Sequence, residues 1–127
     1  MTITADPLTP DRFDALLTDA TVPVVHRALW ALLWETDIRV LDLLALDVTD
    51  AAPDGRRIRP GAPPLGPRAA ALLAELVGAR ESGPLFAVGR AAERLLTWEE
   101  AVRVATGRGL AIHTLRATGK AYRPRED

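Results

Sequence analysis

VVHRALWALLWE, at residues 24–35, is a segment in which apolar side chains fall on nearly every side of a helix. An α-helix with that pattern belongs in the interior of a protein, where other elements surround it. We therefore expect a central buried helix from about Val24 to Glu35. Trp30 and Trp34 stand four residues apart, and we interpret both as core residues and not as a platform for stacking nucleic-acid bases.

Helix start and stop signals flank this segment. Thr9 and Pro10 suit the N-cap and first position of a helix whose inner face carries Phe13, Leu16 and Leu17. A third helix is predicted at about 38–46, with Leu41, Leu44 and Ala45 facing inward, and a fourth from Pro67 to about Gly78. The last two helices run from the capping box of Thr97 and Glu100 to Gly107 and Gly109, and from about His113 to Tyr122.

Two stretches between these helices favour extended chain. Residues 47–60, DVTDAAPDGRRIRP, alternate weakly around a turn signal at 53–55 and predict a short hairpin. Residues 84–86, PLF, predict an extended segment that packs inward, and residues 90–96 a weak helix. The expected fold is one domain over residues 1–127, mainly α-helical with a small vestigial β-hairpin and a frayed tail at 123–127.

The composition is that of a globular protein and excludes several classes. Of the 127 residues, 48% are hydrophobic and 26% are charged, which is too apolar for a disordered chain. The chain has no cysteine, which excludes disulfides and cysteine-based metal sites. It shows neither a secretory signal pattern nor an apolar stretch of the ~18 residues that a membrane helix needs. We expect a soluble, cytoplasmic protein that uses no cofactor, no metal and no membrane.

Charge is divided unevenly along the chain. Residues 1–55 carry ten acids and three arginines, a net −7, whereas residues 56–127 carry thirteen bases and seven acids, a net +6. One face of the fold can then attract a polyanion although the whole chain has a net charge of −1. The alternative is that both halves form ordinary solvated surfaces.

Four short segments of the sequence are more informative together, in their order along the chain, than each is alone. They are TDIRVLDLLALDVTD at 36–50, PL at 64–65, PLF at 84–86 and HTLRATGKAY at 113–122. In this order they resemble the catalytic domain of the tyrosine recombinases of the phage-integrase type, with its T-G-L-R-x-x-E-L-x-x-L-x-x-x-D, V-P-L, P-L-F and H-x-L-R-H-T segments. The resemblance covers about residues 9–122 and implies the recombinase catalytic-core fold.

The resemblance also implies a phosphate-binding site. In the family, two arginines and a histidine hold the scissile phosphate and stabilise the charge that develops on it. By resemblance Arg39 and Arg116 form this clamp, His113 lies one helical turn before Arg116, and Asp42 braces one of the arginines. We expect Arg39, His113 and Arg116 to converge in space. Further phosphate contacts are expected from Arg56, Arg57 and Arg59.

The chain departs from the family pattern at the residues that cleave and rejoin DNA in the family. No lysine lies between Asp50 and Pro64, where the family has its catalytic lysine, and arginine holds its proton too firmly to donate it. Tyr122 is the only tyrosine, and it shares a helix with Arg116, too early for the family's nucleophile. Asp37 replaces the glycine of T-G-L-R and places a negative charge beside the expected clamp.

These observations favour a catalytically inactive, recombinase-like protein that binds DNA or regulates DNA recombination. One alternative is a protein-interaction module that kept the fold and lost DNA binding; another is a fragment completed in trans by a partner that supplies the tyrosine. By resemblance, we expect the helices at 24–35 and 97–107 to lack part of the cover that later helices give in the family. We therefore expect a homodimer or a protein partner, unless the Pro-rich segment at 60–67 folds over them.

The site residues also have plainer interpretations. Arg39 can pair with Asp42, three residues along a helix surface, in a contact worth less than ~1 kcal/mol. His113 can cap the last helix or fill a half-buried slot.

We expect no DNA cleavage or joining, because a phosphodiester needs an activated attacking group and the chain has no tyrosine in the nucleophile's place. Incubation with a nicked suicide duplex should give no covalent protein–DNA adduct on a denaturing gel. An adduct that disappears in the Tyr122→Phe variant would contradict this expectation.

Overall fold

The computed structural model describes residues 9–36, 38–51, 58, 65–88 and 94–122, the last residue through its backbone. Within these ranges the fold is mainly helical with one small antiparallel sheet, as the sequence predicts. The α-helices are α1 (Pro10–Leu17), α2 (Val24–Glu35), α3 (Val40–Leu44), α4 (Pro67–Val77), α5 (Trp98–Gly107) and α6 (Leu115–Tyr122). The remaining elements are the 3-10 helices Val48–Asp50 and Ile112–Thr114 and the strands β1 (Ala87–Val88) and β2 (Arg94–Leu95).

The predicted central helix is confirmed. Every residue of α2 from Val25 to Trp34 except Arg27 is buried, and α1, α4, α5 and α6 pack around it. Trp30 is fully buried and Trp34 is 6% exposed, so both are core residues as expected. The ring of Trp34 stacks on that of Phe13 with centroids 4.2 Å apart, which fixes α1 against the last turns of α2.

Helix ends follow the sequence signals. The backbone N–H of Arg12 donates to Thr9 Oγ1 over 3.2 Å, and Pro10 occupies the first position of α1. At the start of α5 the N–H of Glu100 donates to Thr97 Oγ1, and the Glu100 carboxylate accepts from the N–H of Thr97. These bonds satisfy amides that have no partner inside the helix, a contribution of about 1 kcal/mol for each cap.

The third helix is shorter than predicted. α3 begins after its N-cap residue Arg39 and ends at Leu44, rather than covering about 38–46. The chain leaves the helix because its next residues pair with a distant segment: the N–H of Leu85 donates to the carbonyl oxygen of Leu46 over 2.8 Å. A contact between residues so far apart in sequence leaves no trace in local periodicity.

The inner face of α3 was also assigned wrongly in part. Leu44 is buried as expected, but Leu41 is 65% exposed and Ala45 is exposed. Leu43 is fully buried instead. In a helix, residue 41 lies about 200° around the axis from residue 43, so burying Leu43 turns Leu41 toward solvent.

The sheet lies elsewhere than predicted. Asp47 forms only an isolated bridge with Pro84, and the chain continues as a 3-10 helix through residues 48–50, so this stretch is not a hairpin strand. Capping explains the turn, because Asp47 accepts from the N–H of Thr49 and Asp50 accepts from the N–H of Asp47. The turn signal at 53–55 and the tail at 123–127 lie outside the described residues.

The observed sheet pairs β1 with β2, with Ala87 opposite Leu95 and Val88 opposite Arg94. The helix expected over 90–96 is therefore wrong at residues 94–95; residues 89–93 lie outside the described ranges. The inward packing predicted for the segment before β1 is confirmed, since Leu85 and Phe86 are fully buried.

α6 lies against the last turn of α2 at a glycine. A Cβ atom placed on Gly119 would lie 2.6 Å from the Cα of Trp34 and 2.7 Å from its carbonyl carbon, closer than Cβ atoms approach backbone in real proteins. Gly119 is buried, and its missing side chain lets the two helix backbones touch. The backbone of Trp34 has little room to retreat, because its ring is held in the core against Phe13.

Gly119→Ala should destabilise the protein by roughly 1–3 kcal/mol, because the added methyl group overpacks the contact between α6 and α2. Gly107→Ala is the matched control, since a Cβ at that helical glycine meets nothing within 4 Å. Alanine's better helix propensity should then raise stability by up to about 1 kcal/mol. Urea unfolding followed by far-UV circular dichroism measures both, and equal effects of the two variants would argue against the close contact.

Candidate functional site

Two of the motif segments are joined by backbone hydrogen bonds. The N–H of Val48 donates to the carbonyl oxygen of Gly83 over 2.8 Å, and the N–H of Leu85 to that of Leu46 over 2.8 Å. The end of the first motif therefore runs antiparallel beside the PLF segment. The last motif lies on α6, whose contact at Gly119 brings it to the last turn of α2.

Thr36, the first residue of the first motif, ends α2 and turns the chain toward α3. Its hydroxyl donates to the carbonyl oxygen of Leu32 over 2.7 Å, and its Oγ1 accepts from the N–H of Ile38 over 3.3 Å. A threonine at this point thus has a local structural role. Its side chain accepts from the amide of Ile38, which lies beyond the helix end, and gives the Leu32 carbonyl oxygen a second donor beside the N–H of Thr36.

Arg39 stands exposed at the start of α3. Within the described residues its side chain makes no hydrogen bond and no ion pair, so the surface pair with Asp42 is not formed. Asp42 is exposed in the first turn of α3, and no contact there makes it a brace for Arg39.

His113 and Arg116 lie one turn apart on the exposed side of the segment that leads into α6. Their neighbours Ile112 and Leu115 are 3% and 0% exposed, so alternation of buried and exposed residues turns the two polar side chains outward. His113 is therefore not in a half-buried slot, and no side-chain cap is formed at its 3-10 helix.

Convergence of Arg39 with His113 and Arg116 stays a prediction, since no described contact joins Arg39 to the other two. Arg56, Arg57, Arg59 and Asp37 lie outside the described residues, and their expected roles likewise stay predictions.

At least six of the nine arginines that the structure describes hold the protein together. Arg80 is the most engaged of them: its guanidinium donates to the carbonyl oxygens of Leu76, Pro84 and Leu85 over 2.8, 2.7 and 3.1 Å. The other five bond carbonyl oxygens or carboxylates of neighbouring elements and are Arg12, Arg27, Arg68, Arg94 and Arg108. Counting basic residues in the sequence therefore overstates the positive charge that is free to meet a partner.

His26 is a polar residue of the core that sequence reasoning missed. It is 5% exposed, its Nδ1 has no hydrogen-bond partner among the described residues, and it lines an open groove of about 410 Å³. Burial lowers the pKa of His26, an effect that the Glu100 carboxylate opposes in part. The available signal was a histidine beside Arg27 in the first turn of a helix whose next residues, 28–34, are all apolar.

Within the described ranges, His, Asp and Glu side chains form no group of three or more that is suited to a metal ion. The helices in those ranges are also too short or too polar to cross a bilayer.

Comparison with protein-family models, with curated proteins and with solved structures gives no match for this chain. The likeness to tyrosine recombinases therefore rests on the motifs and their order alone.

Stability should fall as the pH drops below ~6.5, because the unfolded chain binds a proton at His26 more readily than the folded one. Urea unfolding at pH 7.5 and 5.5 should show this loss in the natural sequence and not in His26→Leu. His113→Gln, which replaces an exposed histidine, is the matched control and should keep the loss.

A separate loss of stability is expected below about pH 4.5 in all three proteins. Hydrogen bonds hold the pKa values of Asp19, Asp47 and Glu100 below their ordinary range, so these carboxylates stabilise the fold until they are protonated.

The prediction for His26 has its own contradicting outcome. If the natural protein and the His26→Leu variant lose equal stability between pH 7.5 and 5.5, the loss in that range does not come from His26.

Proposed function

We propose that this chain is a catalytically inactive, recombinase-like protein that binds DNA through its phosphates, with Arg39, His113 and Arg116 as the main contacts. The observation that carries the proposal is the state of Arg39. It is exposed and unbonded at a turn fixed by Thr36, whereas most described arginines are engaged inside the protein. A guanidinium so placed can give a phosphate two parallel charge-assisted hydrogen bonds.

The contact between α6 and α2 supports a shared phosphate-binding face. Gly119 of α6 touches Trp34 of α2. Arg116 lies three residues before Gly119 in the sequence, and Arg39 lies five residues after Trp34. Chain geometry then limits the separation of the two arginine Cα atoms to roughly 27 Å. DNA carries one charge for about every 1.7 Å of its axis, so one short duplex can meet both arginines.

The proposed activity is binding without strand transfer. Arginine contacts to phosphates position a protein on DNA and do not read its bases, so the binding should lack strong sequence preference. A protein of this kind would act in recombination as an accessory factor or an antagonist that occupies DNA.

A protein-interaction module is the second candidate function, and Leu41 is the observation that favours it. This side chain is 65% exposed on α3, between Val40 and the exposed Asp42. An apolar side chain beside an acidic one suits a protein partner better than a polyanion.

The third candidate is a fragment that is completed in trans by a partner that supplies a tyrosine. Like the second candidate, it predicts that the chain forms a complex, and light scattering at micromolar concentration would detect that complex.

DNA affinity should be weak and should fall steeply with salt, because binding a phosphate releases its counterions. The Arg39→Ala, Arg116→Ala double variant should lose most of the binding and reduce the slope of log affinity against log salt by about 2, or about 1 for each phosphate contact. Fluorescence anisotropy with a labelled 20-base-pair duplex from 50 to 200 mM salt gives both quantities.

Arg103→Ala is the matched control, since this exposed arginine lies on α5, a different element from those that carry Arg39, His113 and Arg116. Thermal unfolding checks that each variant is folded. Affinity that is unchanged in the folded double variant, or absent in the natural protein at 50 mM salt, would favour the protein-interaction candidate instead.

A further inference from the structure

A groove at the N-terminal end of α2 has the dimensions of a ligand site. It lies at the opposite end of this helix from Thr36, roughly 18 Å along the axis, so it is separate from the proposed DNA contacts. Its volume is about 410 Å³, within the range of roughly 300–1,000 Å³ that is usual for small-molecule sites. Its walls are mostly apolar and come from α2, α4 and β1: Pro23, Val24, Val25, Leu76, Ala87 and Val88.

His26 and Arg80 are the polar side chains of this groove. His26 is 95% removed from solvent, and its Nδ1 meets no hydrogen-bond partner in the part of the chain that the structure describes. A buried polar atom left in this state costs roughly 1–3 kcal/mol, so a bound group that supplies the missing hydrogen bond is favoured.

Arg80 brings a positive charge that no carboxylate of residues 9–36, 38–51, 65–88 or 94–122 neutralises by direct contact. Its guanidinium bonds three carbonyl oxygens, which fixes its position and leaves other N–H groups for a ligand. Asp47 feels the charge of Arg80 at a distance, but within the described residues the two make no ion pair, and the Asp47 carboxylate accepts from Thr49 instead.

The first turn of α2 adds a second attraction for an anion. Pro23 is its N-cap residue, and no side chain in the described part of the chain caps the helix. The N–H of His26 donates to the carbonyl oxygen of Pro23, so the unused donors are the amides of Val24 and Val25. Together with the partial positive charge of a helix N-terminus, these donors suit a carboxylate.

We propose that the groove between the start of α2, the end of α4 and β1 binds a small carboxylic acid with an apolar body, the carboxylate between Arg80 and His26 and the apolar body along the valines. The apolar walls exclude a fully polar anion as the preferred ligand, because such an anion would lose hydration without gaining apolar contact. A neutral apolar ligand would leave His26 Nδ1, and the N–H groups of Arg80 that do not bond the three carbonyl oxygens, without partners.

Titration of the full chain with octanoate and 4-phenylbutanoate, followed by calorimetry and amide NMR shifts, tests this proposal. At least one acid should bind one to one, at least tenfold more tightly than octan-1-ol or 4-phenylbutan-1-ol, with shifts at residues 24–26, 76–80 and 87–88. Binding of neither acid, equal binding of acid and alcohol, or shifts confined to other residues would overturn it.

Variants then measure how much Arg80 and His26 each contribute to binding of the acid. Arg80→Gln should weaken binding of the acid at least tenfold and that of the alcohol by less than twofold, while Arg103→Gln, an exposed arginine elsewhere, should change neither. Arg80 also bonds three carbonyl oxygens, so the Arg80→Gln variant could fail to fold. In that case His26→Leu tests the proposal, and this variant should bind the acid at least threefold more weakly than the natural protein does. Unchanged acid binding in a folded variant of Arg80, or in His26→Leu, would overturn the proposal.

Discussion

Burying a helix on all sides requires neighbours on all sides, and α2 obtains them from four other helices. α1 is fixed by the stack of Phe13 on Trp34, and α6 by the backbone contact at Gly119. Both contacts fall on the last turns of α2, so this end is held by backbone and ring packing together. The other end borders a groove and keeps an uncapped first turn. The central helix thus has one closed and one open end.

Arginine has two different uses in this fold. Four of the nine described arginines satisfy carbonyl oxygens at helix ends and loops, where a planar group with five N–H donors reaches several acceptors at once; they are Arg12, Arg27, Arg80 and Arg108. Arg12 and Arg108 connect segments about 90 residues apart in sequence, through Gly109 and through Asp19 with Thr21. Positive charge used in this way is part of the scaffold, and only the remainder is available for binding.

The parts of the fold that sequence reasoning predicted are those with a local cause. The bounds of α2 and α4, the cap at Thr9 and the capping box at Thr97 follow from periodicity and from side chains within four residues. The errors have distant causes: α3 ends early because residues 46–48 pair with 83–85, and the observed sheet joins β1 to β2, whereas residues 48–50 of the predicted hairpin form a 3-10 helix.

The candidate sites divide in the same way. Exposure of His113 and Arg116 follows from the buried residues beside them, a pattern visible in the sequence. The groove at His26 has no such pattern, because it is assembled from α2, α4 and β1. Gly119 resembles any other helical glycine until the structure shows what lies next to it.

The position of Gly119 so late in the sequence also matters while the chain is being made. α2 is complete at residue 35, but the helix that covers its last turn is not present until residue 119, about 80 residues later. At 5–20 residues per second, synthesis leaves this apolar helix partly uncovered for roughly 4–17 s. Over such a time nascent chains meet chaperones and one another, so in the cell the order in which the helices emerge, and not only their final packing, governs how much folded protein is obtained.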